Sequence, residues 1–117
     1  MRTYLNYIDG AWIPALAGKT VQTRNPADTR EIVAEYAAGG ADDALAAIAA
    51  AQRAASAWAD TTAVARGRFL SKASQLIEAR KADLAELRST DEGKTLAEST
   101  GEVQRAAYIF RFYGGLS

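Results

Sequence analysis

Four carboxylates lie close together in the second half of this sequence: Asp91, Glu92, Glu98 and Glu102. Paired carboxylates can transfer protons, and with other oxygen ligands they can hold a hard cation. The plainer interpretation is that one of the four carboxylates caps a helix, one interacts with a helix dipole and two are solvated. Helical spacing places Arg105 one turn after Glu102, so an i,i+3 ion pair is enough to explain that acid. The cluster marks a candidate site and does not specify a reaction.

Gly93-Lys94-Thr95 resembles the end of a phosphate-binding P-loop, but the complete motif fails. It needs a glycine five residues before Gly93, where this chain has Arg88, and it should follow a strand, whereas the preceding residues are typical of a helix. The dinucleotide fingerprint G-x-G-x-x-G is also absent from the sequence. Instead, we predict that Gly93 ends one helix and that Thr95 and Glu98 form a capping box at the start of the next.

Composition removes several classes of function. The chain has 117 residues with no Cys and no His, which excludes thiol nucleophiles, disulfides and His-based acid–base chemistry within it. Lys and Arg number 14 and Asp and Glu number 14, so no basic excess indicates nucleic acid as a partner. No signal peptide or membrane span is expected, which favours a cytoplasmic protein. Alanine supplies 27 residues, so large core-forming side chains are few for this length.

The first forty residues favour strands. Asp9-Gly10 lies between two apolar runs, which predicts a hairpin with a type I′ turn. Two more strands are predicted over residues 20–23 and 31–36, with a turn at Asn25-Pro26 between them. Gly39-Gly40 then breaks the chain, and the hydrophobic period changes from strand-like to helix-like.

Four helices are predicted after this break. They cover residues 44–57, a segment beginning after Thr61-Thr62, residues 82–92, and a segment beginning after Thr95. The second has the clearest apolar stripe, formed by Phe69, Leu70, Ala73, Leu76 and Ile77. The chain as given is therefore predicted to be α+β, with short N-terminal β-hairpins followed by about four helices.

Several short motifs are weak signals individually but are specific when they occur together in this order and at these separations. They are Tyr7-Ile8-Asp9-Gly10-Ala11-Trp12, Thr23-Arg24-Asn25-Pro26-Ala27, Ala57-Trp58, Ala65-Arg66, Leu76-Ile77-Glu78-Ala79-Arg80, Glu92-Gly93-Lys94-Thr95-Leu96-Ala97-Glu98, Gly101-Glu102 and Arg111-Phe112-Tyr113-Gly114-Gly115. With these motifs, essentially the whole chain resembles the N-terminal segment of the NAD(P)-dependent aldehyde dehydrogenase superfamily. The motif Gly93-Lys94-Thr95-Leu96 resembles the corresponding sequence in the branches of this superfamily that oxidise semialdehydes.

The resemblance implies that residues 1–117 are the N-terminal part of the coenzyme-binding domain of an α/β enzyme. Residues 1–40 would be its strand and hairpin region, and residues 41–117 its helical region. In the family, the nucleophilic Cys, the general-base Glu, the oxyanion-hole Asn and the Rossmann coenzyme contacts lie beyond the matched segment. No catalytic or coenzyme-binding residue is therefore carried over. NAD or NADP would serve the complete enzyme, and the chain alone is expected to bind neither and to be inactive.

Two lesser sites are implied by the same resemblance. Some members bind a structural monovalent cation, and its ligands match Thr23, the backbone carbonyl of Arg24, and Asp91. The helix after Thr95 looks like one that lines the mouth of the substrate tunnel. That match places Glu102, Ala106 and Phe110 at the tunnel.

The expected partner is the remainder of an aldehyde dehydrogenase chain. An alternative from another class is a stand-alone helical interaction module from a truncated gene, which would self-associate through exposed apolar helix faces. A small intact cofactor-binding domain is a third hypothesis, and the missing glycine fingerprint argues against it.

Overall fold

The computed structural model of the protein describes residues 3–116. They form two compact units, residues 3–60 and residues 61–116. The first unit holds five strands and one helix, and the second holds three helices. In chain order the elements are β1 Thr3–Tyr4, β2 Asn6–Ile8, β3 Ala11–Ile13, β4 Thr20–Asn25, β5 Asp28–Ala37, α1 Ala41–Asp60, α2 Ala63–Ala79, α3 Lys81–Glu92 and α4 Leu96–Leu116. The prediction of short strands followed by four helices is confirmed.

The predicted hairpin is formed by β2 and β3, which pair antiparallel. Its turn residues Asp9 and Gly10 have φ of 54° and 79°. Both values are positive, as a type I′ turn requires. Tyr7 pairs directly with Trp12 across the hairpin, and their ring centroids lie 4.9 Å apart. The dipeptide Asp-Gly was therefore sufficient to locate this element.

A second sheet has the strand order β1-β5-β4, with β4 antiparallel and β1 parallel to the central strand β5. The two-residue strand β1 was not predicted separately, because its run of strand-forming residues continues directly into β2. Glu35 on β5 accepts hydrogen bonds from the Thr3 hydroxyl at 3.3 Å and the Thr20 hydroxyl at 2.9 Å. This one carboxylate therefore joins all three strands.

Helix α1 begins three residues earlier than the sequence suggested and ends three residues later. Its early start follows from Asp43, which is buried in the first turn of the helix. One carboxylate oxygen accepts from the backbone N–H of Gly40 and the other from that of Leu16, both at 2.9 Å. Helix initiation in the first unit is therefore tied to the loop that follows β3.

In the second unit, α2 and α4 pack against each other at close range. An added Cβ on Gly114 would lie 3.1 Å from the carbonyl oxygen of Gly67, so a glycine is needed where the helices cross. The buried Ser74 hydroxyl donates to the Ala107 carbonyl at 2.7 Å. Helix α2 begins after Thr62, as predicted; Thr62 is its N-cap, and its hydroxyl accepts from the Ala65 N–H.

The core of the described residues is small and rich in alanine. Its buried apolar residues are Ala15, Ala34, Ala50, Ala85, Val103 and Ala107. The predicted stripe on α2 is only partly buried, because Phe69 and Leu76 are exposed. The hydrophobic period identified the helix correctly, but Phe69 and Leu76 lie outside its buried face. Close contact with α4 instead selects the small residues Gly67 and Ser74.

Candidate functional site at the junction of α3 and α4

The junction between α3 and α4 has the geometry that the sequence predicted. Gly93 follows α3 in the left-handed conformation, with φ of 70°, and its N–H donates to the Ser89 carbonyl at 2.9 Å. The Glu98 carboxylate accepts from the Thr95 N–H at 3.1 Å, while the Thr95 hydroxyl accepts from the Glu98 N–H at 3.3 Å. These reciprocal bonds confirm the capping box and fix the direction in which α4 leaves the turn.

Four charged side chains close a ring around this turn: Arg88, Glu92, Lys94 and Glu102. Arg88 pairs with Glu92 at 3.2 Å and also with Glu102. Lys94 pairs with Glu92 at 2.8 Å and with Glu102 at 3.0 Å. We call this group the charge ring. It contains two cations and two anions, so it has no net charge.

The charge ring corrects one sequence prediction. Glu102 was expected to pair with Arg105 within α4, but it pairs with Arg88 from α3 and Lys94 from the turn. The left-handed turn at Gly93 brings the end of α3 beside α4, and this places two cations next to one carboxylate. The spacing of Arg88 and Glu92 was a usable signal, because i,i+4 pairs of opposite charge face each other on a helix.

The hydrogen bonds of the junction hold its groups in their charged forms. Contacts first with Glu92 and then with Glu102 raise the pKa of Lys94 above its ordinary value. Hydrogen bonds from Lys94 and then Arg88 lower the pKa of the Glu102 carboxyl. The hydroxyl and the N–H of Thr95 lower the pKa of Glu98 in the same way. Groups held charged in this way suit charge pairing and positioning, and they do not suit proton transfer near neutral pH.

The predicted tunnel residues share one strip of α4. Glu102, Ala106 and Phe110 occur at successive four-residue intervals within the helix, which places them on the same side. Ala106 is half-buried, and the other two are exposed. The strip therefore begins at the charge ring and continues along the helix towards an aromatic side chain.

The predicted cation ligands come from both units. Thr23 and Arg24 lie on β4, where the register with β5 shifts between them, and Asp91 lies on α3. The Thr23 hydroxyl oxygen is buried and has no hydrogen-bond partner. A buried oxygen without a donor is suited to a cation, because an unsatisfied polar atom is costly. Within residues 3–116, no group of three or more His, Cys, Asp or Glu side chains could hold a metal ion.

Comparison with known proteins identifies the family. Residues 12–117 match the sequence model described as "Aldehyde dehydrogenase family". This match covers most of the chain, and the chain belongs to that family.

Individual relatives agree with this assignment. The chain is 41% identical over 108 residues to an alpha-ketoglutarate semialdehyde dehydrogenase of Haloferax volcanii, a match that covers 92% of this chain and 22% of the relative. It is 38% identical over 113 residues to an alpha-ketoglutaric semialdehyde dehydrogenase of Bacillus subtilis, with 97% and 23% covered.

A solved structure shows the same fold with coenzyme present. A variant of betaine aldehyde dehydrogenase from Staphylococcus aureus, solved in complex with NAD+, is 31% identical and aligns with a TM-score of 0.94. This alignment covers 99% of the present chain and 24% of that protein. The chain thus spans about a quarter of the length of its relatives. Among its described helices, none is both long enough and apolar enough to cross a membrane.

Proposed function

We propose that this chain is the N-terminal part of a cytoplasmic enzyme that oxidises a semialdehyde to the corresponding acid with NAD or NADP. The observation that carries the proposal is its match, over nearly its full length, to the first-named relatives, which are semialdehyde dehydrogenases. The remainder of the enzyme would supply the nucleophile and the coenzyme site. The chain itself has no Cys, so it cannot form a thiohemiacetal and is inactive alone.

In this proposal α4 contributes part of the wall of the substrate tunnel through Glu102, Ala106 and Phe110. A lone carboxylate there would repel a semialdehyde that carries its own carboxylate. The charge ring removes this conflict, because Arg88 and Lys94 compensate the charge of Glu102 at hydrogen-bond distance. Neutral pairing at the mouth of the tunnel is therefore compatible with an anionic substrate.

A structural role for a monovalent cation is part of the same proposal. The buried Thr23 hydroxyl oxygen, the Arg24 carbonyl and the Asp91 carboxylate would hold it, with a further ligand from the rest of the enzyme. The unpaired state of the Thr23 oxygen supports this assignment. The bound ion would stabilise the fold and would take no part in hydride transfer.

A chimera tests the proposed function directly. Residues 1–117 would replace the matching segment of the Bacillus subtilis enzyme, and reduction of NAD and NADP would be followed with alpha-ketoglutarate semialdehyde. We expect the chimera to oxidise the semialdehyde, while the same enzyme without any N-terminal segment and the isolated chain give no reduced coenzyme. A folded chimera without activity, or turnover by the isolated chain, would contradict the proposal.

A further inference from the structure

The buried face of α4 is flanked on both sides by polar side chains. Val103 is buried at the centre of this face, with Ser99 and Ala107 buried one turn away in each direction. Successive residues of a helix are about 100° apart, so Glu102 and Gln104 project on the two flanks of Val103. The charge ring holds Glu102 on its flank. The opposite flank has a polar contact of its own, which is centred on Gln104.

The side chain of Gln104 connects two groups of opposite charge. Its oxygen Oε1 accepts a hydrogen bond from Lys81 Nζ at 3.0 Å, and its nitrogen Nε2 donates to Glu78 Oε1 at 3.2 Å. Lys81 is the first residue of α3, and Glu78 lies in the last turn of α2. These two hydrogen bonds, here called the Gln104 bridge, therefore join all three helices of the second unit.

An amide suits this position because it offers an acceptor and a donor at the same time. The ammonium group of Lys81 can only donate, and the carboxylate of Glu78 accepts. A carboxylate at position 104 would face Glu78 as a like charge, and an apolar side chain would satisfy neither partner. Both bonds are part-buried, so water competes for them less than it does at a fully exposed pair.

We propose that Gln104 is a positioning residue, which sets the rotation of α4 about its axis and thereby holds Glu102 in the charge ring. The buried side chains of α4 are small, and small side chains specify the rotation of a helix less sharply than directional hydrogen bonds do. A single polar contact can fix the register of packed helices. Contacts on both flanks of Val103 restrain rotation in both directions.

The consequence for catalysis rests on the proposed function. If α4 lines the substrate tunnel, a rotation of about 10° at its outer radius of about 5–6 Å would move Glu102 and Ala106 by about 1 Å. A misplacement of this size can cost about a hundredfold in rate. Gln104 would then influence the reaction through Glu102 and Ala106, without touching the substrate itself.

NMR titration of the Glu102 carboxyl in the chain of 117 residues tests the positioning role without any enzymatic activity. Hydrogen bonds from Lys94 and then Arg88 lower the pKa of Glu102, so this pKa reports whether the charge ring is closed. Gln104→Met removes both bonds of the Gln104 bridge, keeps the length of the side chain and changes no charge. We therefore expect it to raise the pKa of Glu102 towards the ordinary value of a glutamate.

The matched control for this titration is Gln52→Met. Gln52 is an exposed glutamine on α1, in the first unit, and its substitution should leave the pKa of Glu102 unchanged. Far-UV circular dichroism would verify that both variants retain their helices. An unchanged pKa of Glu102 in Gln104→Met, or an equal change in Gln52→Met, would overturn the positioning role.

Kinetics of the chimera distinguish positioning from loss of folded enzyme. If Gln104→Met only reduced the folded fraction, kcat would fall while KM for the semialdehyde stayed the same. We expect instead that KM for the semialdehyde rises by about threefold or more, whereas KM for the coenzyme is unchanged. A fall in kcat with both KM values unchanged would contradict the link between Gln104 and the substrate site. A chimera without activity would refute the proposed function, and the titration of Glu102 would still decide the role of Gln104.

Discussion

The starts of α1 and α4 use the same local motif in different surroundings. In each case an acidic residue in the first turn accepts a hydrogen bond from the backbone N–H three residues earlier: Asp43 from Gly40, and Glu98 from Thr95. Asp43 is buried and also accepts from the Leu16 N–H, 27 residues away in sequence. Glu98 is exposed, and both of its partner groups belong to Thr95.

This difference indicates what each cap stabilises. The Glu98 cap sets the start and direction of one helix, and water can replace its bonds. The Asp43 cap joins α1 to a distant loop through part-buried bonds from two backbone amides. Water competes less for the buried Asp43 carboxylate than for the exposed one of Glu98, and hydrogen bonds to a charged group contribute more than an average hydrogen bond. We therefore expect the Asp43 cap to contribute more to stability than the Glu98 cap.

The largest effect is expected from Asp43→Ala. Loss of the carboxylate leaves the N–H groups of Leu16 and Gly40 without acceptors, so the melting temperature should fall by several degrees. The hydrogen bonds that Asp43 accepts from Gly40 and Leu16 are here called the Asp43 clamp. Amide hydrogen exchange at Leu16 should accelerate, which distinguishes loss of this clamp from loss of helix propensity. Asp42→Ala is the matched control, because Asp42 is exposed in the same turn of α1. Equal destabilisation by the two substitutions would contradict the clamp.

The same clamp predicts a dependence on pH. Hydrogen bonds from the N–H of Gly40 and then that of Leu16 lower the pKa of Asp43. A carboxyl group whose pKa is lower in the folded state contributes its full stabilisation above the unfolded value of about 3.9. That contribution is lost as the pH falls through the folded pKa. Asp43→Asn should remove this part of the acid sensitivity, which thermal unfolding at a series of acidic pH values would measure.

A smaller effect is expected from two glycines that can be compared, Gly93 in the turn before α4 and Gly101 within that helix. Gly93→Ala introduces a Cβ at a positive φ and should destabilise the chain by about 1 kcal/mol. Gly101→Ala lies within α4 with open space around it, so it should stabilise by roughly 0.5–1 kcal/mol. Urea unfolding monitored by circular dichroism would give both values. The same sign for the two substitutions would exclude backbone conformation as the cause.

The sequence predicted features that depend on short stretches of chain. Asp9-Gly10, Thr62, Gly93 and the Thr95–Glu98 box each determine local backbone geometry, and each was located correctly. The bond between Asp43 and the Leu16 N–H was not predicted. Nothing near Asp43 in the sequence indicates a donor 27 residues away.

The same limit applies to the candidate site. The position of Glu102 on α4 follows from helical spacing, but its partners depend on how α3 and α4 meet. The sequence therefore favoured the neighbour Arg105 over Arg88, which lies across the turn. The buried faces were harder to predict, because alanine, glycine and serine form the helix contacts and large apolar residues such as Phe69 stay exposed. A period of apolar residues indicates which faces avoid water, and it does not indicate which partner covers them.

The smallest effect on stability is expected from Glu102→Gln. The charge ring is exposed enough for solvent to screen it, and pairs of this kind contribute little. The melting temperature of the chain should therefore change by no more than about 1–2 °C. A fall as large as that for Asp43→Ala would remove the distinction between the buried clamp and the exposed junction.

The same substitution should have its larger consequence in the active chimera. Without the Glu102 carboxylate the ring carries one net positive charge, so kcat/KM for an anionic semialdehyde should rise a few-fold at low ionic strength. Arg88→Gln leaves the opposite net charge and should lower kcat/KM by a similar factor. Both changes should shrink as salt is added, because screening acts on exposed charges over about 10 Å at 0.1 M salt. Effects of the same sign for the two variants, or effects that salt does not reduce, would place Glu102 away from the path of the substrate.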